Sequence, residues 1–145
     1  MVHATAVSIA GGAILLRGPP GAGKSDLALR LIDGGARLVA DDQAELRRSG
    51  KHILVSAPIA IAGLIEVRGI GILRVDAVDE APLALVVDLV PPEEIERLPE
   101  KRFEQILGLS IPLIALAAFE ASAPAKLRLA RNAFSEPRLP AMLGC

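Results

Sequence analysis

Gly18-Pro19-Pro20-Gly21-Ala22-Gly23-Lys24-Ser25 is the stretch on which the fold of this chain turns. It fits at every fixed position the glycine-rich pattern that cradles phosphates, and that pattern acquires meaning only between a strand and a helix. Both flanks are present. Upstream, Thr5 to Ile9 and Ala13 to Arg17 are short β-prone runs separated by Gly11-Gly12, which predicts a tight hairpin whose second strand feeds the loop. Downstream, Leu27, Ala28, Leu31 and Ile32 share one helical face between Asp26 and Asp33, with Gly34-Gly35 where a helix would end. In such a loop the main-chain N–H groups turn inward on phosphate oxygens and the helix N-terminus adds partial positive charge. Lys24 is then placed to clamp the outer phosphates of a nucleotide and Ser25 to ligate Mg²⁺. A chance glycine turn with a solvated lysine is the plain alternative, and the complete pattern with both flanks argues against it.

Further along, Arg37 to Ala40 reads as a buried strand ending at Asp41-Asp42, expected to lie beside the strand that feeds the loop. One of these acids then has a route to Mg²⁺ through water, and the other to the proton of an attacking hydroxyl. An acidic turn capping the next segment is the rival reading. Ser49-Gly50 marks a second hairpin between Ala44–Arg48 and His52–Ser56. Pro58 to Leu64 is irregular, and Ile65 to Gly71, where charged and apolar residues alternate before closely spaced glycines, reads as a shaped loop outside the core. Leu83 to Val90 is the clearest central strand, bounded by Pro82 and Pro91-Pro92, and Asp88 near its end is a rival metal acid. Glu93 to Arg102 is charged and surface-like. Ile111 to Leu116 is a further strand candidate, and Ser122 with Pro124 opens a last helix carrying Leu127, Ala130 and Phe134 inward.

Composition narrows the classes of function. The 145 residues suit a single domain, and a chain 52% hydrophobic but only 2% aromatic favours an aliphatic α/β core over disorder. A formal net charge of −1 supplies no global field for nucleic acid or anionic lipid. No run of apolar residues is long enough to span a membrane, since Ile111 to Phe119 is interrupted by Pro112 and followed by Glu120. The single cysteine, Cys145, has no intrachain partner, which fits a reducing, cytoplasmic setting. The expected organisation is one domain over residues 1–135 and a loose tail over residues 136–145.

In order and spacing, His3, the loop Gly18–Ser25, Arg37-Leu38-Val39-Ala40-Asp41-Asp42 and Gly63-Leu64-Ile65-Glu66-Val67-Arg68-Gly69-Ile70-Gly71-Ile72 resemble the catalytic domain of bacterial HPr kinase/phosphorylase. The resemblance runs from about His3 to Phe134. It implies a P-loop-containing mixed β-sheet with flanking helices and a chemistry in which ATP phosphorylates a serine of the small phosphocarrier HPr. It also implies assembly into a homo-oligomer, a hexamer in the family. Residue by residue, it makes Asp42 the proton acceptor, Lys24 the phosphate clamp, Ser25 and Glu66 the Mg²⁺ ligands, Arg68 a neutraliser of charge on the transferring group and His3 a catalytic histidine. The cofactor-binding set is Gly18, Pro19, Pro20, Gly21, Ala22, Gly23, Lys24, Ser25 and Asp41. Without the resemblance Glu66 and Arg68 would read as a solvated pair on one strand face. For His3, hairpin geometry gives a second argument: if Gly11-Gly12 is the turn, Ala10 pairs with Ala13 and the ladder brings His3 opposite Pro20.

Three features depart from the family. Its relatives carry a further N-terminal domain, whereas this chain begins almost at His3, so regulation through that domain is expected to be absent. Relatives also hold an arginine before the last helix, where Glu120-Ala121-Ser122-Ala123-Pro124-Ala125 has none, and the stretch used for phosphorolysis is not recognisable. The expectation is a serine kinase whose phosphorylase activity is doubtful. The alternatives are a small-molecule kinase using Asp88 and a nucleotide sensor without turnover.

Overall fold

In the computed structural model, which describes residues 1–135, the glycine-rich stretch joins a strand to a helix as its flanks require. The order is β1 (Thr5–Ile9), β2 (Gly12–Arg17), α1 (Lys24–Asp33), β3 (Arg37–Ala40), β4 (Glu45–Ser49), β5 (His52–Ser56), β6 (Leu64–Val67), β7 (Gly71–Arg74), β8 (Glu80–Leu89), β9 (Arg102–Ile106), β10 (Leu109–Leu116) and α2 (Ala123–Ser135). The main sheet runs β3-β1-β2-β8-β10-β9. Strands β2, β8 and β10 are mutually parallel, while β1 is antiparallel to both of its neighbours and β9 is antiparallel to β10. Strand β3 therefore points the same way as β2. The carboxyl ends of β3, β2, β8 and β10, with the start of β1, fall on one edge, where open α/β sheets form their binding crevices.

Alternation along β2 feeds two cores. Ile14 and Leu16 face Leu27 and Leu31 of α1 and Leu127 of α2, whereas Ala13 and Leu15 pack with Ile53 and Val55 of the β4–β5 hairpin. Leu27, Leu31 and Leu127 are completely buried, and burial on that scale is worth about 1.5–3 kcal/mol for each leucine. This clamps α1, and with it the loop at its N-terminus, onto the sheet.

The β1–β2 hairpin forms with a register different from the expected one. Ile9 pairs with Gly12 and Thr5 with Leu16, so the turn is Ala10-Gly11. Both turn residues have positive φ, 51° and 79°, the backbone of the two-residue turn that matches strand twist. Gly12 belongs to the strand for a different reason: a Cβ there would lie 2.6 Å from the Arg131 guanidinium. That guanidinium donates to the carbonyls of Ile9 and Ala10, tying α2 to the turn.

Three other expectations change. Strand β1 stands between β3 and β2, so the strand ending in Asp41-Asp42 is one place removed from the loop's strand. The segment around Ile65 is the β6–β7 hairpin, not a loop outside the core, and Ile65 is buried against the helical layer. Strand β9 was not anticipated and forms the sheet's outer edge within the stretch following the charged surface region. The tail expected over residues 136–145 lies outside the described residues.

Candidate active site

The loop, the end of β3 and the end of β6 enclose a cavity of about 350 Å³. Lys24, Ser25, Asp42, Glu66 and Arg68 line it, with Gly21 and Gly23 of the loop. Five of the residues singled out as chemical thus converge from three separate segments. Gly23 adopts φ 99° as the residue preceding α1, and a Cβ there would sit 2.9 Å from the Cβ of Ala118 and 3.0 Å from the ring of Phe119. Only glycine meets both demands.

Asp41 organises the floor. It is buried, and its carboxylate accepts hydrogen bonds from the hydroxyls of Ser25 (2.6 Å) and Thr5 (3.2 Å) and from the main-chain N–H of Glu66 (3.0 Å). One side chain so joins the start of α1, β1 and β6. Thr5 also accepts a hydrogen bond from the N–H of Asp42 at 3.1 Å. Asp42 itself has φ 69°, a left-handed backbone that aspartate tolerates better than most residues. The twist turns consecutive acids in opposite directions: Asp41 is buried beneath the site and Asp42 is exposed on its wall. Unusual backbone of this kind concentrates at functional positions.

The Lys24 ammonium donates to the carbonyls of Gly18 (2.5 Å) and Pro19 (3.3 Å), holding it across the mouth of the loop. Sequence reasoning missed Thr5, whose importance depends on the β1–β3 pairing, and Phe119, which stands on the cavity rim from the segment after β10. That segment is braced by the Arg30 guanidinium, which donates to the main-chain carbonyls of Ala118 and Glu120.

His3 is not where the hairpin argument placed it. The β1–β2 ladder ends at Thr5, and His3 is exposed and absent from the cavity lining. The chain beside it is fixed instead at the end of β3, where the adjacent Val2 bridges Ala44, two residues from Asp42. Asp88 is likewise not at the cavity. It accepts hydrogen bonds from Arg17 at 2.8 and 3.2 Å, and the same guanidinium binds Glu104. These contacts hold the Glu104 carboxyl below its ordinary value, chiefly through the hydrogen bond from Arg17, and hold the Arg17 guanidinium above its own. The acid expected to serve an ordinary nucleotide kinase is instead one of two carboxylates paired with Arg17.

The donors on the cavity suit Mg²⁺. Ser25 and Glu66 offer hard oxygens, and among the described residues no group of three or more His, Cys, Asp or Glu closes on one point. That sparse set matches the habit of Mg²⁺ in phosphate sites, which takes one or two carboxylates and completes its shell with phosphate and water.

A mixed sheet with a glycine-rich loop at its carboxyl edge, a lysine across that loop and acids opposite defines a P-loop α/β domain. The comparisons with known proteins are more specific. The model of the HPr Serine kinase C-terminal domain matches residues 1–127, and the chain belongs to that family. The HPr kinase/phosphorylase of Prosthecochloris aestuarii is 36% identical over 79% of this chain, which covers 37% of the relative. That of Geobacillus thermodenitrificans is 35% identical over 79% of this chain and 41% of the relative. The chain thus spans about two fifths of the length of these curated relatives. The solved structure of the Hpr(Ser) kinase/phosphatase from Coxiella burnetii superposes with a TM-score of 0.80 and 32% identity, covering 90% of this chain and 93% of that one.

Proposed function

We propose that this chain transfers the terminal phosphate of Mg²⁺-ATP to a serine hydroxyl of an HPr-type phosphocarrier. The observation that carries the proposal is the single cavity uniting Lys24 and Ser25 of the loop with Asp42, Glu66 and Arg68. The family supplies the phosphocarrier.

Each group has a role that its position supports. The loop amides from Gly18 to Ser25 and the Lys24 ammonium bind the phosphates, whose charge the start of α1 also favours. Ser25 and Glu66 hold Mg²⁺, which when bound neutralises phosphate charge. Asp41 fixes the Ser25 hydroxyl and the Glu66 main chain and so orients both ligands. Asp42 accepts the proton of the incoming serine hydroxyl as its oxygen attacks phosphorus. Arg68 faces the same cavity with a fork suited to phosphate oxygens, where positive charge stabilises the charge spreading over the transferring group. His3 acts from the β3 side of Asp42, and His3→Ala tests that assignment. The site requires neither nucleic acid nor membrane, and among the described residues no helix is long and apolar enough to cross one. Catalysis in the kinase direction, cytoplasmic residence and a homo-oligomer complete the proposal, with phosphorolysis weak or absent.

The test is to incubate the chain with Mg²⁺-ATP and an HPr-type protein and to locate phosphate by mass spectrometry. A phosphoserine on the carrier is expected, reduced about 10²–10⁴-fold in Asp42→Asn as a general base demands. Undiminished transfer by that variant would remove Asp42 from the mechanism. Tight ATP binding without transfer would make the chain a sensor.

A further inference from the structure

A second cavity, of about 460 Å³, opens on the other side of the phosphate loop. Its size falls in the range of small-molecule sites, about 300–1,000 Å³. Pro20, Gly21 and Phe119 line both cavities, so the two adjoin at the loop. The new cavity is framed by the segments leaving β8 and β10, with Val90, Pro91 and Pro92 on one wall and Ala118 and Phe119 on the other. It lies on the crevice edge of the sheet.

Its chemistry is the opposite of the first. The lining is proline, alanine, valine, leucine, glycine and phenylalanine, with Glu120 its one charged residue, and Glu120 is engaged by Lys126 at 3.1 Å. Pro91 and Pro92 have no N–H to offer, and the carbonyls of Pro91, Ala117 and Ala118 already accept hydrogen bonds from Glu94, Glu120 and Arg30. A flat apolar group is therefore welcome here, and little can read its edges. Phe119 is 70% exposed, which leaves its ring face open to a flat group that stacks on it.

Resting on the phosphate-binding role of the loop, we propose that this cavity holds the purine base of the nucleotide, stacked on Phe119 against the Pro91-Pro92 wall and recognised by shape. The shared lining of Pro20, Gly21 and Phe119 is what singles out this occupant, since a nucleotide with its phosphates in one cavity has its base within reach of the other. Shape recognition without edge contacts separates large bases from small ones and leaves the two purines nearly equal. Hydrogen-bonded pockets do the reverse, rejecting analogues that lack a partner group by large factors.

Calorimetric titration of the full chain with Mg²⁺ complexes of inorganic tripolyphosphate, ATP, GTP and CTP tests this. ATP and GTP are expected to bind within about tenfold of one another, and both at least about tenfold more tightly than tripolyphosphate, the gain that base–aromatic stacking provides. CTP should fall between. Phe119→Ala, and Val90→Trp filling the cavity, should each bring ATP close to tripolyphosphate while leaving tripolyphosphate affinity within about twofold, the latter also reporting that the variant is folded. Equal affinity of ATP and tripolyphosphate in the unaltered chain overturns the base site and leaves the phosphate loop intact. A hundredfold preference for ATP over GTP overturns recognition by shape. Failure of every phosphate compound to bind overturns the loop's role itself.

Discussion

Asp42 combines an exposed carboxylate on the cavity wall with a φ of 69°, so chemistry and backbone conformation are superimposed at one position. Substitutions separate them. Asn and Gly both accept left-handed backbone, whereas Ala meets a steric cost of about 1–2 kcal/mol. Asp42→Asn and Asp42→Gly are therefore expected to melt with the parent chain, and Asp42→Ala several degrees lower, while all three lose serine phosphorylation alike. Thermal denaturation and a transfer assay on the same samples check this, and an Asn variant that loses stability along with activity would count against a chemical role. The pairing of two acids after a strand was legible in the sequence; their division of labour was not. Asp41 is the buried member because Thr5, Ser25 and the Glu66 amide surround it, and only tertiary structure assembles them: the β1–β3 register brings Thr5, α1 brings Ser25 and β6 brings Glu66. Thr5 gave no signal of its own, being one polar residue in a β-prone run.

At the scale of elements, the β6–β7 hairpin delivers Glu66 and Arg68 to the cavity, yet its hold on the domain is narrow. Ile65 is its fully buried side chain, while every residue of β7 is exposed. Ile65→Ala is expected to cost about 2–4 kcal/mol, concentrated in local opening of the hairpin. Hydrogen exchange should show faster exchange of the Glu66 amide, which otherwise donates to Asp41, with α1 amides little changed. Serine phosphorylation should fall at least tenfold while nucleotide binding at the loop persists, because α1 is anchored independently by Leu27 and Leu31. Loss of nucleotide binding to the same degree would show that the hairpin and loop open as one unit. The hairpin escaped sequence reading because it has one inward side and only four residues per strand, too short for alternation to outweigh Gly69 and Gly71. Strand β8 was legible for the opposite reason, since it lies in mid-sheet with an apolar run from Leu83 to Val87, although it begins at Glu80 and so contains Pro82, the residue expected to bound it.

For the whole molecule, Arg17 of β2, Asp88 of β8 and Glu104 of β9 link strands across four places of the sheet, with β10 between the last two. Each side chain is about a third exposed, at 30%, 36% and 32%, so solvent weakens the pairs and their net worth is modest. Removing the cation is different, because it leaves two carboxylates facing the space it filled. Arg17→Met is therefore expected to lower stability by about 1–2 kcal/mol at neutral pH, through unpaired acids more than through lost attraction. The pH dependence identifies the cause. Glu104 has a depressed value in the folded chain, so its contribution is fully present above the ordinary glutamate value of about 4.5 and disappears as pH falls through the lower folded value. Protonation also relieves the two acids in the variant. The stability gap between parent and Arg17→Met should accordingly narrow on acidification from pH 7 toward pH 3, as measured by urea denaturation at each pH. A gap that stays constant over that interval would assign the loss to packing of the arginine stem, and a gap that widens would contradict the pairing of Arg17 with Glu104.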